Sequence, residues 1–422
     1  MRIIQGDAAA GQEPAASLRR NFALTFAGNA VHATGQWAVL SLIAKLGGGE
    51  MLGRYALAVA VATPVMMLAH LNLRAVLATD VEARRPFGEY LAVRLAATAL
   101  GLAALAALAV SLHGTGAMAG LILLAGFSLS ADTVSDAFYG ALQRRDRMRP
   151  IAVSMCLRGI FTAAVTAVAL WTTGSLAWTL AALVAARLLL IAAYDRPQGM
   201  RGESARAAGS TGRRAILRAA LPLGAVLMLV SLNTNLPRYA IERYLGTEAL
   251  GVFAATASFL AVGSTVVNAL GQAATPRLAR AFRSGDRPGF LRLALGLSAL
   301  GLALGAAGVL AALLAGPFLL RLLFRPEYAA HAGLLAAVMA ASAPIYAAIV
   351  LGFVVTSTRT FAPQMALSLM AATASGAASF LLVPRFGLRG AALALAASGC
   401  VQIAGQACIL AHKLGRPKEL VP

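Results

Sequence analysis

The sequence has little charge for its length. Only 12% of its 422 residues are Asp, Glu, Lys or Arg, whereas 59% are hydrophobic. A water-soluble protein of this size needs far more charge to cover its surface, so the composition excludes a soluble globular class and indicates an integral membrane protein. The 36 basic residues outnumber the 16 acidic ones, and their positions explain this excess without a nucleic-acid partner.

Cysteine is also scarce, and motifs that carry chemistry are missing. Cys156, Cys400 and Cys408 all lie inside apolar runs, which excludes an extracytoplasmic disulfide framework. The sequence has no Cys-x-x-Cys pair, metal-ligand cluster, glycine-rich phosphate loop or nucleophile elbow. We therefore expect a protein that is not an enzyme and binds no resident cofactor. A coupling ion, H⁺ or Na⁺, is the one small ligand left open.

Apolar runs of membrane-crossing length recur along the whole chain. A helical crossing needs roughly 20 residues, and twelve runs come close to that length. The predicted fold class is therefore all-α, a polytopic membrane protein with twelve transmembrane helices. The runs cover residues 21–45, 54–73, 90–112, 118–142, 150–171, 175–194, 216–237, 250–272, 290–314, 330–356, 362–383 and 388–411.

The basic residues predict the orientation of these spans. If the spans alternate in direction, 25 of the 36 basic residues lie in the tails and connections of one side and eight on the other. The remaining three lie inside spans. Because cytoplasmic loops carry the excess of Lys and Arg, both termini are predicted to be cytoplasmic.

An internal repeat divides the chain into two halves. The motif Gly-x-Glu-x-Leu-Gly-x-aromatic-Ala occurs at Gly48 and again 198 residues later at Gly246, and Pro150 and Gly174 recur 213 residues later as Pro363 and Gly387. Six crossings return the chain to its starting side, so the two six-helix lobes are expected to be parallel repeats related by an axis along the membrane normal. The predicted domains are a cytoplasmic tail (1–20), a first lobe (21–194), a cytoplasmic linker (195–215), a second lobe (216–411) and a cytoplasmic tail (412–422).

Each lobe has a polar stripe on its first span. In span 1 the stripe faces either a packed neighbouring helix or a wet cavity, and we favour the cavity. Within it, His32 is either a buried, satisfied histidine or a proton sensor. The two stripes consist of Asn21, Thr25, Asn29, His32 and Gln36 in span 1, and of Ser231, Thr234, Asn235, Arg238 and Glu242 in span 7.

Five charged residues lie inside the spans of the first lobe. They are Arg94, Asp132, Asp136, Arg158 and Arg187. Each would cost roughly 2.5 to 3.5 kcal/mol if it faced lipid, so all five are expected to face inward. Two interpretations remain open: the carboxylates neutralise the arginines in a static core, or the group lines a cavity that receives a polar cargo.

The connections on the non-cytoplasmic side are short. The longest, from Gly316 to Ala329, has apolar and basic residues in the pattern of a short interfacial helix over 318–325. None of these connections is large enough to form a catalytic domain.

Several segments resemble a known transporter family. They are Arg74-Ala-Val-Leu-Ala-Thr-Asp80 with Phe87-Gly-Glu-Tyr90 and Arg94; Ser135-Asp136-Ala-Phe-Tyr139-Gly140-Ala-Leu-Gln143 with Met148 and Ser154; and Leu221-Pro-Leu-Gly224, Asn235-Leu-Pro-Arg-Tyr239, Leu250-Gly251 and Pro276-Arg-Leu278. Together these segments resemble the polysaccharide-lipid (Wzx-type, O-antigen) flippases of the multidrug/oligosaccharidyl-lipid/polysaccharide (MOP) exporter superfamily.

This resemblance implies a function in surface polysaccharide or lipopolysaccharide biosynthesis. Such a flippase moves an undecaprenyl-pyrophosphate-linked oligosaccharide from the inner to the outer leaflet of the bacterial inner membrane by alternating access. The expected partners are membrane lipids, this substrate and the polysaccharide assembly machinery, with no nucleic acid. The candidate cavity residues are Asn29, His32, Gln36, Arg94, Asp132, Asp136, Arg158, Arg187, Asn235 and Arg238. Asp132 and Asp136 lower the net positive charge that the family's cavities are described as having.

Other functions fit the same architecture. The main alternative is an ion-coupled exporter of drugs or other small molecules, with Asp132, Asp136 or His32 as the coupling group. A membrane-bound glycan polymerase is disfavoured because it would be expected to need a sizeable outer loop, and a non-transporting scaffold is the remaining possibility.

Overall fold

The computed structural model describes residues 15–79, 85–201, 210–358, 360 and 362–415. Every regular element in these ranges is a helix, in agreement with the predicted all-α class. The α-helices are α1 (Ala15–His70), α2 (Leu73–Thr79), α3 (Phe87–His113), α4 (Ala117–Arg144), α5 (Met148–Thr173), α6 (Leu176–Leu190), α7 (Arg196–Met200), α8 (Ser210–Ser284), α9 (Arg287–Leu323), α10 (Ala332–Ser357), α11 (Ala362–Phe386) and α12 (Leu388–Gly415), with a π-helix at Ile191–Asp195 and a 3₁₀-helix at Pro326–His331.

Ten helices of the described ranges are long and apolar enough to cross a membrane, rather than twelve. The difference arises because α1 and α8 each combine two predicted spans. Gly48 has φ 81° and ψ −177°, and Gly246 has φ 84° and ψ 178°. A side chain is strongly disfavoured in this region of φ/ψ space, so one glycine replaces the loop expected between the two spans. We call residues 15–47 and 49–70 the first and second arms of α1, and 210–245 and 247–284 those of α8.

Contacts with neighbouring helices show that α1 folds back at Gly48. The main chain of His32 lies against Gly159 of α5, and Arg158 beside it binds Asp132 of α4. His70 pairs with Asp136, one turn further along α4. In a straight helix His32 and His70 would be about 57 Å apart, so the two arms must run side by side. The two ends of the described chain lie on one side of the molecule, called the terminal side, and Gly48 and Gly246 lie on the opposite turn side.

The two lobes meet through reciprocal contacts at these turns. A Cβ on Gly53 would lie 1.8 Å from the carbonyl oxygen of Thr247, and a Cβ on Gly251 would lie 2.0 Å from that of Gly49. Gly251 and Thr247 are the counterparts of Gly53 and Gly49 at the 198-residue offset. Equivalent residues therefore exchange equivalent contacts, as expected for lobes related by a two-fold axis along the membrane normal. This confirms the predicted parallel repeat.

Small residues bring the helices of the first lobe together. Gly28 packs against the main chain of Ala152, and Gly35 packs against that of Gly159 on α5. In a membrane, where hydrophobic burial contributes little to helix association, such close approach lets dispersion forces hold the helices. The glycine face of the first arm of α1 is therefore fixed against α5, and the arm contacts the second lobe through Trp37, Ser41 and Lys45.

Two segments differ from the sequence prediction. The prediction of a separate interfacial helix at 318–325 is wrong, because α9 continues through Pro317 to Leu323 and the 3₁₀-helix follows. The predicted linker begins with ordered structure, since α6 continues through the π-helix into α7. Residues 1–14, 202–209 and 416–422, which contain parts of the predicted tails and linker, lie outside the described residues.

Candidate functional site

The first buried charge cluster is centred on Asp132 of α4. Its carboxylate accepts hydrogen bonds from Nη1 of Arg158 on α5 and, at 2.6 Å, from Nη1 of Arg187 on α6. Nη2 of Arg158 also donates to Ser135 and, at 3.0 Å, to Asp195. We call Asp132, Arg158, Arg187 and Asp195 the Asp132 cluster. It contains two cations and two anions, so its formal charges balance, and it joins three helices of the first lobe.

Asp195 enters this cluster because of the π-helix. The carboxylate is 1% exposed and accepts hydrogen bonds from the hydroxyls of Ser135, at 2.6 Å, and Ser154. The hydroxyls of Ser154 and Tyr139 lie 2.6 Å apart. A π-turn shifts the following side chains around the helix axis, and Asp195 faces the bundle interior. The sequence analysis missed this residue because it placed Asp195 at the start of the linker.

The second buried charge cluster surrounds Asp136. His70 Nε2 lies 3.2 Å and Arg74 Nη1 3.3 Å from its carboxylate oxygens, and Arg94 Nη2 lies 3.7 Å away. Arg94 is completely buried and its Nη1 donates to the carbonyl of His70. We call Asp136, His70, Arg74 and Arg94 the Asp136 cluster. With two arginines against one carboxylate, its formal charge is positive.

The Asp136 cluster spans a break in the chain. Helix α1 ends at His70 and α2 begins at Leu73, and between them Leu71 and Asn72 have positive φ values of 53° and 46°. This left-handed conformation is unfavourable for a leucine. Asp136 pairs with His70 before the break and with Arg74 after it, which holds the two helix ends together. Neither His70 nor Arg74 was predicted as a site residue, because both lie at the edge of a predicted span; Arg74 appeared only in a segment that carries the family resemblance.

The first arm of α1 and the second arm of α8 meet at the interface between the lobes. The two arms touch where Trp37 Nε1 donates to Ser258 Oγ at 3.0 Å. On the terminal side of this contact Asn29 is exposed on α1. Thr265 and Gln272 are exposed on the same face of α8 as Ser258, at spacings of seven residues. We infer from these exposed polar residues that the two arms separate on the terminal side, and we call the space between them the cleft.

The other pair of arms is closed along its length. On the terminal side a Cβ on Gly224 of α8 would lie 2.7 Å from the carbonyl oxygen of Leu68. Nearer the turns, the hydroxyl of Tyr239 donates to the carbonyl of Ala60 at 2.6 Å. The lobes are therefore in contact along this pair of arms on the terminal side and nearer the turns.

Hydrogen bonds between lobes close the turn side. Ser41 donates to the carbonyl of Leu323, Lys45 Nζ donates to that of Leu322 at 2.7 Å, and Arg325 Nε donates to that of Lys45 at 3.0 Å. Each lobe thus supplies side chains that cap a helix end of the other. We call Ser41, Lys45 and Arg325 the turn-side latch. The lobes are therefore joined by hydrogen bonds at the turns, and the inferred cleft lies on the terminal side of these bonds.

Sequence comparison places this architecture in a family. The profile of the family described as polysaccharide biosynthesis protein matches residues 18–282, more than half of the chain. The chain belongs to this polysaccharide biosynthesis family. It is also 25% identical over 387 residues to the capsular polysaccharide biosynthesis protein CapF of Staphylococcus aureus, an alignment that covers 91% of this chain and 97% of CapF.

Solved structures show the same fold. An inward-facing multidrug resistance MATE family transporter of the MOP superfamily matches with a TM-score of 0.65 at 13% identity, over 97% of both chains. The lipid II flippase MurJ, in an inward closed conformation, matches with a TM-score of 0.70 at 12% identity, over 92% of this chain and 87% of MurJ. This polysaccharide biosynthesis protein is therefore a multi-pass membrane protein with the MOP-superfamily fold, which confirms the resemblance found from its sequence.

The predicted site residues lie in three different parts of the structure. Asn29, His32 and Gln36 lie along the first arm of α1, where Asn29 is exposed and the other two are half-buried. His32 is within electrostatic range of the Asp132 cluster. The second lobe contributes Asn235 and Arg238. The clusters described above hold the remaining five, Arg94, Asp132, Asp136, Arg158 and Arg187.

Arg238 differs from the arginines of the first lobe. Its Nη1 donates to Asn235 Oδ1 of the same helix at 3.1 Å, and it has no carboxylate partner within the described parts of the chain. Both Arg238 and Arg187 are within electrostatic range of Tyr55. A cationic group from each lobe therefore lies near one tyrosine at the lobe interface. The prediction that these residues bind a substrate stays a prediction.

Proposed function

We propose that this protein is a flippase for an undecaprenyl-pyrophosphate-linked oligosaccharide in surface polysaccharide biosynthesis. It would move the substrate from the inner to the outer leaflet of the bacterial inner membrane. The terminal side would face the cytoplasm, as the distribution of basic residues predicts. The observations that support the proposal are the exposed polar residues Asn29, Thr265 and Gln272 on the terminal side of the Trp37–Ser258 contact and the hydrogen bonds that join the lobes at the turns.

The physical requirement is to shelter a charged diphosphate and its sugars from hydrocarbon. Amide and hydroxyl side chains such as Asn29, Gln272 and Thr265 can replace water as hydrogen-bond partners of sugar hydroxyls. Rocking of one lobe against the other, with the cleft closing as the turn side opens, would then expose the head group to the opposite leaflet.

Arg238 and Arg187 are the best candidates to bind the diphosphate. In this conformation Arg158 is 3% exposed and already bonded to two carboxylates and a serine, so its guanidinium is occupied. Arg187 is 6% exposed and donates to one carboxylate and one main-chain carbonyl, and Arg238 has no carboxylate partner among the described residues. Guanidinium groups bind phosphate oxygens through paired, charge-assisted hydrogen bonds. A diphosphate between Arg187 and Arg238 would contact both lobes.

Substitution of Arg238 tests this function. We expect Arg238→Gln to lower transfer of lipid-linked oligosaccharide across reconstituted vesicles by about tenfold or more, since a charge-assisted contact is lost. Arg238→Lys should retain an intermediate rate because it keeps the charge but not the fork geometry. Arg243→Gln, at an exposed arginine of the same helix, is the matched control. Wild-type transfer and wild-type surface polysaccharide in Arg238→Gln would contradict the proposal.

An ion-coupled small-molecule exporter is the second candidate, supported by the fold shared with a multidrug MATE transporter. In that case Asp132 or Asp136 would bind the coupling H⁺ or Na⁺. A deletion strain separates the two functions. Loss of surface polysaccharide with unchanged drug susceptibility supports the flippase, whereas the opposite result supports the exporter.

A further inference from the structure

A polar pocket of about 340 Å³ lies between the lobes on the turn side. It is distinct from the inferred cleft, which lies on the terminal side. The second arm of α1, the end of α3 and the start of α4 line it from the first lobe, and the turn of α8 lines it from the second. A molecule bound in this pocket therefore contacts both lobes. The lining residues include Arg54, Leu57, His113, Leu121, Glu242 and Thr247.

Buried apolar side chains form the floor of this turn-side pocket. Leu57 is 4% exposed and Leu121 is 7% exposed. The close contact of Gly53 with the carbonyl of Thr247 fixes the edge where the lobes meet. Arg54 is exposed, so the pocket is open at its outer end. Ligand pockets in proteins usually measure about 300 to 1,000 Å³, so the size of this pocket suits one sugar ring better than an oligosaccharide.

Two ionisable side chains face the pocket without a protein partner. Within the parts of the chain that the structure describes, neither the imidazole of His113 nor the carboxylate of Glu242 makes a hydrogen bond or an ion pair. Both residues are half-buried, so each has lost part of its hydration. Partly buried polar groups are normally satisfied by a protein group, by water or by a ligand. The pocket therefore has unused polar groups on opposite walls, one from each lobe.

Arg54 adds a guanidinium with free hydrogen-bond donors. Its Nη2 donates to Oε1 of Glu50 at 2.5 Å, and it has no other hydrogen-bond partner in the described ranges. An arginine has five N–H groups, so most of them remain available. The wall from the first lobe can therefore bind a carboxylate through charge-assisted hydrogen bonds. On the wall from the second lobe, ionised Glu242 can only accept hydrogen bonds, and it suits hydroxyl groups.

Glu242 is also the last member of the polar stripe of span 7. It lies one helical turn, about 6 Å, beyond Arg238 on the same face of α8, and the function proposed above does not use it. In the proposed direction of export, the sugars of the head group leave on the turn side, where this pocket lies. The stripe would thus lead from the arginine proposed to bind the diphosphate to a site for a sugar.

We propose that the turn-side pocket binds one acidic sugar residue of the exported glycan. The carboxylate of the sugar binds Arg54 and His113, and its hydroxyls donate to Glu242. The apolar C–H face of the ring lies on Leu57 and Leu121. The inference rests on the proposed function and adds the class of sugar that the glycan contains.

Binding of free monosaccharides to the purified, monodisperse full-length protein tests the proposal. The probe is D-glucuronate, and D-glucose has the same ring without the carboxylate. Dissociation constants are measured by saturation-transfer NMR for the wild type, Arg54→Gln and Glu242→Gln. The matched controls are Arg321→Gln and Glu248→Gln, at exposed residues on the turn side that are not among those lining the pocket.

We expect the wild type to bind glucuronate about tenfold more tightly than glucose. Arg54→Gln should remove this difference, because the charge-assisted contact with the carboxylate is lost. Glu242→Gln should weaken the binding of both sugars by about fivefold, because a charged acceptor of sugar hydroxyls is lost. The two control variants should bind both sugars as the wild type does.

Several outcomes would overturn the acidic-sugar site. They are no glucuronate binding, equal affinity of the wild type for glucuronate and glucose, no effect of the two pocket substitutions, or an equal loss in the controls. Acetate that binds as tightly as glucuronate would show a simple anion site, and tighter binding of glucosamine would show a preference for the opposite charge. Failure of the flippase function has a different signature, namely surface polysaccharide that is unaffected by Arg238→Gln.

Discussion

Asp132 accepts hydrogen bonds from two arginines on different helices. Arg158 and Arg187 are 3% and 6% exposed, and both donate to this one carboxylate. Paired in this way, the charges can stay buried, because each guanidinium has an anionic acceptor in place of water. The carboxylate of Asp132 therefore allows Arg158 and Arg187 to stay buried inside the first lobe.

Removal of this charge should destabilise the lobe. We expect Asp132→Asn to cost about 3 kcal/mol or more of stability, since an uncompensated cation remains buried. Thermal unfolding in detergent measures the loss. Asp146→Asn is the control, because Asp146 is exposed and its positive φ of 54° suits asparagine equally well. Equal melting temperatures for the two variants would contradict the assigned role.

At the level of single residues, the sequence predicted most of the buried charges but not which of them pair. Arg94, Arg158 and Arg187 are buried, as the cost of a lipid-exposed charge predicted. Asp195 was missed because only a π-helix turns it inward, and a local change of helical geometry leaves little trace in hydrophobic periodicity. Asp195 also gives Arg158 a second carboxylate, which spacing along the chain could not show.

The two longest helices, α1 and α8, have the same backbone turn at equivalent glycines. The motif repeated after 198 residues predicted that Gly48 and Gly246 correspond, and their φ values of 81° and 84° agree closely. What the sequence did not indicate was how short the turn would be. A hydrophobicity pattern places a loop between two spans, whereas a single glycine in the required conformation needs no loop.

The backbone conformation at Gly246 predicts that a side chain there will destabilise the protein. A Cβ on Gly246 would meet no atom within 4 Å, so Gly246→Ala isolates the cost of the conformation itself, about 1 to 3 kcal/mol. Gly120→Ala is the control, because Gly120 is a helical glycine that also has open space, and alanine there should be neutral or slightly stabilising. Thermal unfolding of the two variants makes the comparison. A Gly246→Ala protein as stable as Gly120→Ala would show that the turn is not strained.

For the whole molecule, the proposed transport requires the turn side to open. The lobes are joined there by Ser41, Lys45 and Arg325, whose hydrogen bonds cap helix ends across the interface. Breaking these bonds would remove interactions that exist only in the closed arrangement, and so would shift the population toward the open one.

We expect Lys45→Gln combined with Arg325→Gln to raise the accessibility of the turn side. A cysteine replaces Thr247, which packs against Gly53 at the lobe contact, in a background without the three native cysteines. Its labelling by a membrane-impermeant maleimide should become several-fold faster in the double variant, since a loss of about 1 kcal/mol changes a population by about fivefold. Arg321→Gln, at an exposed arginine near the same end of α9, is the control. Equal labelling rates with and without the two substitutions would contradict the role of the turn-side latch in holding this side closed.

The break at Leu71 and Asn72 makes the two lobes mechanically unequal. The corresponding part of α8, 198 residues later, is continuous helix up to Ser284, so its second arm is a rod about 57 Å long, almost twice the hydrocarbon thickness, with Pro276 near its far end as a site where it can kink. Tilting such a rod by about 10° sweeps its far end sideways by about 10 Å. Arg277, Arg280 and Arg283 lie near that end. A tilt of the second lobe would therefore move these three positive charges along the neighbouring membrane surface, whereas in the first lobe the Asp136 cluster fixes the shorter helix ends at the break.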